Sequence, residues 1–276
     1  MAGNSKGLKG NKVSLHEFLL RDPDCEQLAE GAMHAVSPLL DDPDPSPCLG
    51  LLEHWADRLA GRMPLPWDTL EALEAVNDYL FRHVGLRGDR ESYEDPRNAV
   101  LPLVISRRRG LPISLSIIWI DVARRLGLDA VGIGLPGHFL AGLRSNEGLL
   151  CIDPFHGGRA VGEEEAADLV SRATSDRVTF KPEMLKPTTH RAIITRLVRN
   201  LHLRFVKTEA WEEALWTSTH LQLLDPDDSL PYKERGIVHL KRGEAVKALN
   251  DFRAALDRSN GSDPELVKWL EKLEGE

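Results

Sequence analysis

The chain has only three cysteines in 276 residues, Cys25, Cys48 and Cys151. None lies in metal-ligand spacing, so a disulfide framework and a cysteine zinc site are excluded, and the expected compartment is a reducing cytoplasm. No apolar run reaches the length of a membrane span. The segment Met1 to Lys12 is polar and basic without the apolar stretch of a secretory signal, and reads as a flexible N-terminus. A phosphate-binding glycine loop and a dinucleotide fingerprint are missing as well, so no cofactor and no metal is expected. The net charge of -8 argues against a general nucleic-acid surface. A last absence is local: no cysteine lies between Cys48 and Cys151.

What is present is ordered by its breaks. Ser14 to Leu40 reads as helical with an interruption at Pro23, and stops at the turn-rich Asp41-Asp42-Pro43-Asp44-Pro45-Ser46-Pro47. Leu49 to Leu59 is a helix, Met63-Pro64-Leu65-Pro66 breaks the pattern, and Trp67 to Val84 is the next helix. Ile113 to Leu126 is apolar almost all round, which describes a buried helix, and Pro112 suits its first turn. Strand signals are confined to Ala130 to Val161, with one more around Arg177 to Phe180. Gly162-Glu163-Glu164-Glu165 opens a helix through Ala173, with acidic residues where the dipole favours them.

Beyond Pro182 and Pro187 the chain repeats. A shift of 34 residues superposes Ala214-Leu215 on Ala248-Leu249, Leu203 on Ile237 and Val206 on Leu240, the period of tetratricopeptide helix pairs. The small Ala214 and Ala248 allow close helix approach, Trp211, Leu221, Leu224, Phe252 and Leu256 fill the interface, and Glu265 to Leu273 closes the array. Two units are too few to stand alone, so they are expected to pack on the preceding domain. A small groove for a protein or peptide partner is the functional alternative. The expected division is a flexible 1–12, a helical N-terminal region and core domain over 13–187, and helical repeats over 188–276.

The short apolar runs Ala130 to Leu135, Phe139 to Leu143 and Gly148 to Ile152 place a hairpin loop at Arg144-Ser145-Asn146-Glu147. If Leu143 pairs with Gly148, His138 falls opposite Asp153 on one face of the sheet. The carboxylate would then select the imidazole tautomer and stabilise its protonated form, while a one-residue slip would part them. The pair is either half of a catalytic device or a buried structural hydrogen bond.

Its nucleophile is the open question. Ser114 and Ser116 stand at the start of the buried helix, where the dipole helps an anion. A serine starts from a far less acidic group than a thiol and needs oxyanion donors, and Pro112 removes one such amide. The other reading is that these serines satisfy free amides of the helix start. Cys151 precedes Asp153 by two and so shares its face in a strand; it is either a thiol near His138 or a small buried hydrophobe.

Leu73 to Phe81, Gly85-Leu86-Arg87-Gly88, Tyr93 to Asn98, Arg107-Arg108-Arg109-Gly110-Leu111-Pro112-Ile113-Ser114, Pro136-Gly137-His138-Phe139-Leu140 and Asp153-Pro154-Phe155-His156-Gly157-Gly158 together resemble the SirB-type family. That family joins a transglutaminase-like (papain-type) domain to C-terminal tetratricopeptide-type repeats and carries Ser or Thr where transglutaminases carry Cys. The resemblance implies a mostly helical α+β protein whose core holds a small antiparallel sheet. It implies a candidate site of Ser114, His138 and Asp153, with Cys151 as the alternative nucleophile. Two functions follow: a non-catalytic interaction or regulatory protein, or a hydrolase or acyl-transfer enzyme. Physical readings of the upstream motifs are simpler. Asn77 and Asn98 cap or bridge backbone groups, the Arg107 to Arg109 run forms a solvated face or pairs with carboxylates, with anion binding as the alternative, and Tyr93 is core.

Overall fold

The structure, a computed structural model, describes residues 14–61 and 68–274; the expected flexible N-terminus, the break at Met63 to Pro66 and Trp67 lie outside them. Helix α1 (Leu15–Arg21) starts at a reciprocal cap in which Ser14 and Glu17 each accept the other's amide. The Asp22 carboxylate then accepts the amides of Glu26 and Gln27 and turns the chain into α2 (Leu28–Val36). The stretch Leu40 to Pro45 separates this pair from α3 (Ser46–Ala60), which begins inside the expected turn-rich segment, ahead of Leu49, because Pro47 is tolerated in a first helical turn. Helix α4 (Thr69–Asn77), capped by Asp68, runs on as a π-helical turn, Asp78–His83.

Strand β1 (Arg87–Gly88) lies parallel to β2 (Arg109–Gly110), a short pairing too small to register in the sequence pattern, with α5 (Leu101–Arg107) between them. Helix α6 (Pro112–Arg125) follows, then β3 (Ala130–Leu135), β4 (His138–Ser145), β5 (Gly148–Asp153), β6 (Arg159–Ala160) and α7 (Glu163–Thr174). Strand β7 is Pro187–Thr188. The five strands form one antiparallel sheet in the order β6-β5-β4-β3-β7. The strand expected around Arg177 to Phe180 is not formed. Val178 and Phe180 instead pack as loop side chains beside α7, and the sheet edge is taken by Pro187–Thr188. An edge is where a proline without an amide donor is tolerated.

Alternation sorts the sheet into two faces. Ala130, Phe139, Ala141, Leu143 and Ile152 share the main core with α6, whose Ile113, Ile117, Ile118, Trp119 and Ile120 are all buried. Each large side chain of this kind contributes roughly 1.5–3 kcal/mol relative to exposure. Ile133, Leu135, Leu140 and Cys151 face a second cluster with Val161, Ala166, Leu169 and Val170 around α7. The expected four-residue hairpin loop is corrected. Ser145 pairs with Gly148 and Leu143 with Leu150, leaving Asn146-Glu147 as a two-residue turn. Both pairings differ from the expected register by two positions, which keeps every side chain on its face because the strand repeat is two.

The C-terminal helices are α8 (His190–Lys207), α9 (Trp211–Leu224), α10 (Leu230–Lys241), α11 (Ala245–Arg258) and α12 (Pro264–Glu274). They form two helix hairpins and a closing helix, and α9 and α11 begin and end 34 residues apart. Ala214 and Ala248 are fully buried, and at Gly236 a Cβ would stand 2.4 Å from Phe252. The first hairpin belongs to the main core through Ile193, Ile194, Leu197, Val198, Leu201 and Leu221, and Gly31 of α2 leaves room for Ile194. Phe252, Ala255, Leu266 and Leu270 make a separate cluster among α11 and α12.

Candidate functional site

Asp153 ends β5 and caps the single turn Pro154–His156. Its Oδ1 accepts the amides of Phe155 at 3.0 Å and His156 at 3.3 Å. Its Oδ2 accepts from His138 Nε2 at 3.0 Å and from His156 Nδ1 at 2.6 Å. An ionised carboxylate can only accept, so these contacts fix the proton-bearing nitrogen of each ring. The carboxyl is 0% exposed. Burial works to raise its pKa, but hydrogen bonds and charge from His138 and His156 outweigh it and hold the group below its ordinary range. The two imidazoles stack with centroids 5.9 Å apart, and Phe155 stands edge-on to both.

The expected contact between His138 and Asp153 therefore exists, reached by a different register. Continuing the β4 to β5 count past Ala141 opposite Ile152 brings Asp153 level with Leu140, two residues along the same face from His138. Diagonal neighbours at that spacing are within reach of long side chains. His156 was quoted in the sequence motif without a role. It joins the site because Asp153 turns the chain back on itself, a local capping signal that Asp-Pro carries.

Neighbouring elements clamp this corner. Arg196 of α8 donates Nη2 to the carbonyls of Leu135 and of His138, the latter at 2.8 Å, and lies over the Phe139 ring. It thereby holds the Pro136-Gly137 turn, where Gly137 has φ +72° and a Cβ would meet Ala173 at 2.5 Å. Gly158, at φ +77°, packs on Asn77, whose Nδ2 donates to the Gly158 carbonyl and whose Oδ1 accepts the buried Trp119 indole N–H. Asn98 is buried and accepts from Arg107 while donating to the Ser92 carbonyl. Both asparagines are bridges, as the sequence reading had them. Arg107 pairs with Asp89 and Asp95 and Arg109 with Glu91, so two of the three arginines in the basic run are spent on carboxylates.

His138 opens onto a cleft of about 330 Å³ between the core and α8. The helix start contributes Leu111, Pro112 and Ile113 to its lining; α8 contributes Arg196, Asn200, Leu203 and Arg204; Tyr93 stands at the rim, half exposed rather than in the core. Ser114 does not line it. Its fully buried hydroxyl donates to the carbonyls of Asn98 at 2.6 Å and Leu111 at 3.1 Å and accepts the Leu111 amide at 2.9 Å. Ser116 is buried with no hydrogen-bond partner, so it caps nothing. Cys151 sits in the α7-side cluster, where burial pushes its thiol up to about 11. Among the described residues, neither Ser114 nor Cys151 hydrogen-bonds to His138.

A helix carrying the nucleophile position, a following antiparallel sheet with His at the head of one strand and Asp at the end of the next: this is the ordering of a transglutaminase-like core. The model of the Transglutaminase-like superfamily matches residues 47–199, and the chain belongs to that superfamily. A UPF0162 protein of Xylella fastidiosa is 40% identical over 189 residues, 67% of this chain and 66% of the relative. A UPF0162 protein of Vibrio cholerae is 28% identical over 203 residues, covering 73% of this chain and 75% of its own. A mouse F-box only protein 21 shares 36% identity over 70 residues, 25% of this chain and 11% of that one. The chain spans just under two thirds of the length of the Xylella relatives it matches, 66% and 65%. No solved structure gives a significant match. Among the described residues, no helix is long and apolar enough to cross a membrane.

Proposed function

We propose that this is a transglutaminase-like protein without thiol or serine acyl-transfer chemistry, which acts in protein interaction or regulation in the cytoplasm. The observation that carries the reading is the commitment of Ser114. A nucleophile must present its oxygen to a base within about 3 Å, and this fully buried hydroxyl, outside the cleft lining, is spent on three backbone groups. The helix start offers the cleft only Leu111, Pro112 and Ile113, and Pro112 also lacks the amide an oxyanion would use. The 34-residue spacing of α9 and α11 supports reading the C-terminal hairpins as tetratricopeptide-type repeats, as in the SirB-type family, with a domain division near residue 187. The partner is a protein or peptide held by those helices.

One observation favours a second reading, a hydrolase or acyl-transfer enzyme: His138, which lines the cleft, is hydrogen-bonded to the buried Asp153 behind it. An activity-probe and acyl-substrate screen on the folded chain separates the two. The expected result is no labelling and no turnover. Turnover that disappears in both Ser114→Ala and His138→Ala, with folding retained, would establish the enzyme; labelling lost only in Cys151→Ala would place the nucleophile on β5.

A further inference from the structure

His138, Asp153 and His156 bring three ligand-type atoms together, Nε2, Oδ2 and Nδ1, all within 4.8 Å of one another. We infer that they form a binding site for one divalent first-row transition ion of the zinc type, which would replace the two N–H contacts to Oδ2, each imidazole carrying its proton on the other ring nitrogen in the bound state. Two imidazole nitrogens and one carboxylate oxygen suit Zn²⁺, Co²⁺ or Fe²⁺, whereas Mg²⁺ and Ca²⁺ prefer oxygen alone. Around such an ion, ligand atoms about 2.0–2.1 Å from the metal stand roughly 3.3 Å from each other. Oδ2 is already 3.0 Å and 2.6 Å from the two nitrogens, so these two separations need to open by well under 1 Å, while the two nitrogens, within 4.8 Å of each other, draw together by at most about 1.5 Å.

The surroundings fit a built site. Oδ1 is tied to the amides of Phe155 and His156, which aims Oδ2 at both rings, the outer-sphere support that metal carboxylates receive. Arg196 fixes the backbone of His138, and Gly158 on Asn77 fixes the far end of the His156 turn. Three protein ligands leave at least one position for water or substrate, and the His156 side chain, 25% exposed, gives a route in. One neighbour opposes the ion: Arg159 Nη2 lies 3.9 Å from Oδ2, on a side chain exposed enough to swing away. The site would also give a role to His138 and Asp153 in a chain whose helix start turns no nucleophile toward them. It goes beyond the interaction reading and stands or falls separately from the acyl-probe result.

The test is equilibrium dialysis and calorimetry of the full chain with Zn²⁺, and visible spectroscopy with Co²⁺. One ion per chain is expected, with Co²⁺ bands displaced by Zn²⁺ and not by Mg²⁺. His138→Gln and His156→Gln should each weaken binding by at least about tenfold, and Arg159→Gln should tighten it severalfold. Circular dichroism verifies that the variants are folded; His156→Gln, at a partly exposed position, keeps the test meaningful if His138→Gln is not. Retention of no ion by the folded parent, or the same affinity in the parent and a folded histidine variant, would overturn the inference.

Discussion

Replacing Asp153 by Ala removes the one acceptor on which four donors converge. Two are amides, Phe155 and His156, and two are imidazoles, His138 and His156. The Phe155 amide and His138 Nε2 lie in buried surroundings, so each is left unsatisfied at about 1–3 kcal/mol; the His156 donors are reached by water and lose about 0.5 kcal/mol each. Removing the desolvation of a buried charge gives part of this back. The expected net loss is about 4 kcal/mol, which for a chain of this size is roughly an 8–16 °C fall in melting temperature. Asp153→Asn keeps an oxygen for the two amides but opposes an amide N–H to an imidazole N–H, so about half the loss is expected. The assay is urea unfolding followed by circular dichroism and by tryptophan fluorescence, to which the buried Trp119 contributes with five others, with coincidence of the two probes as the check on a single transition. A loss below about 1 kcal/mol for Asp153→Ala would refute the reasoning, because it would mean that the carboxylate is not the buried hub of this corner.

Acid should destabilise the chain through His202. Burial first, then Arg199, lowers its pKa from 6.5 to about 4. A depressed folded pKa means that stability is whole above the unfolded value and is lost as pH falls from about 6.5 towards 4, by up to about 3 kcal/mol; His202→Gln should flatten that limb of a stability-against-pH curve. A chain ending at Pro187 strips Ile193, Ile194, Leu197, Val198 and Leu201 from the main core, and is expected to aggregate or bind a hydrophobic dye. A chain ending after Leu224 loses only Val238 of α10 from the buried main core, since α11 and α12 carry a separate cluster, and should stay monomeric; gel filtration with dye fluorescence distinguishes these outcomes. Ser114→Ala should cost about 1–3 kcal/mol in denaturant melts by leaving the buried Asn98 carbonyl and Leu111 amide short of partners.

The elements legible in the sequence were those with strong periodicity or caps. Helices α2, α6 and α7 fell close to where hydrophobic spacing, Pro112 and the Glu163 to Glu165 run placed them. Strands β1, β2 and β7 were not legible, because two-residue pairings carry no alternation to detect and are fixed by what packs over them. In the hairpin, the hydrophobic pattern specified the face but not the position along it. Arg144 and Ser145 look like loop residues, yet they continue β4 on its exposed rim, and only the two-residue turn at Asn146-Glu147 sets the register.

The same distinction explains the site. His138 and Asp153 could be joined from sequence because face parity survives a two-residue slip. The third member could not, since His156 enters through a capped turn rather than through strand spacing, and its ring nitrogen reaches Oδ2 only because Oδ1 is held by the turn's own amides. Ser114 shows the converse. Its place at a helix start invites a catalytic reading, but the hydroxyl is drawn to the Asn98 carbonyl, a partner 16 residues earlier that helix-start chemistry does not reveal. Nor does spacing reveal Arg196, which comes from α8 to hold the strand end that carries His138. A helix of the C-terminal hairpins thus shapes one wall of the cleft and fixes its histidine, so a partner that shifted α8 would move His138 as well.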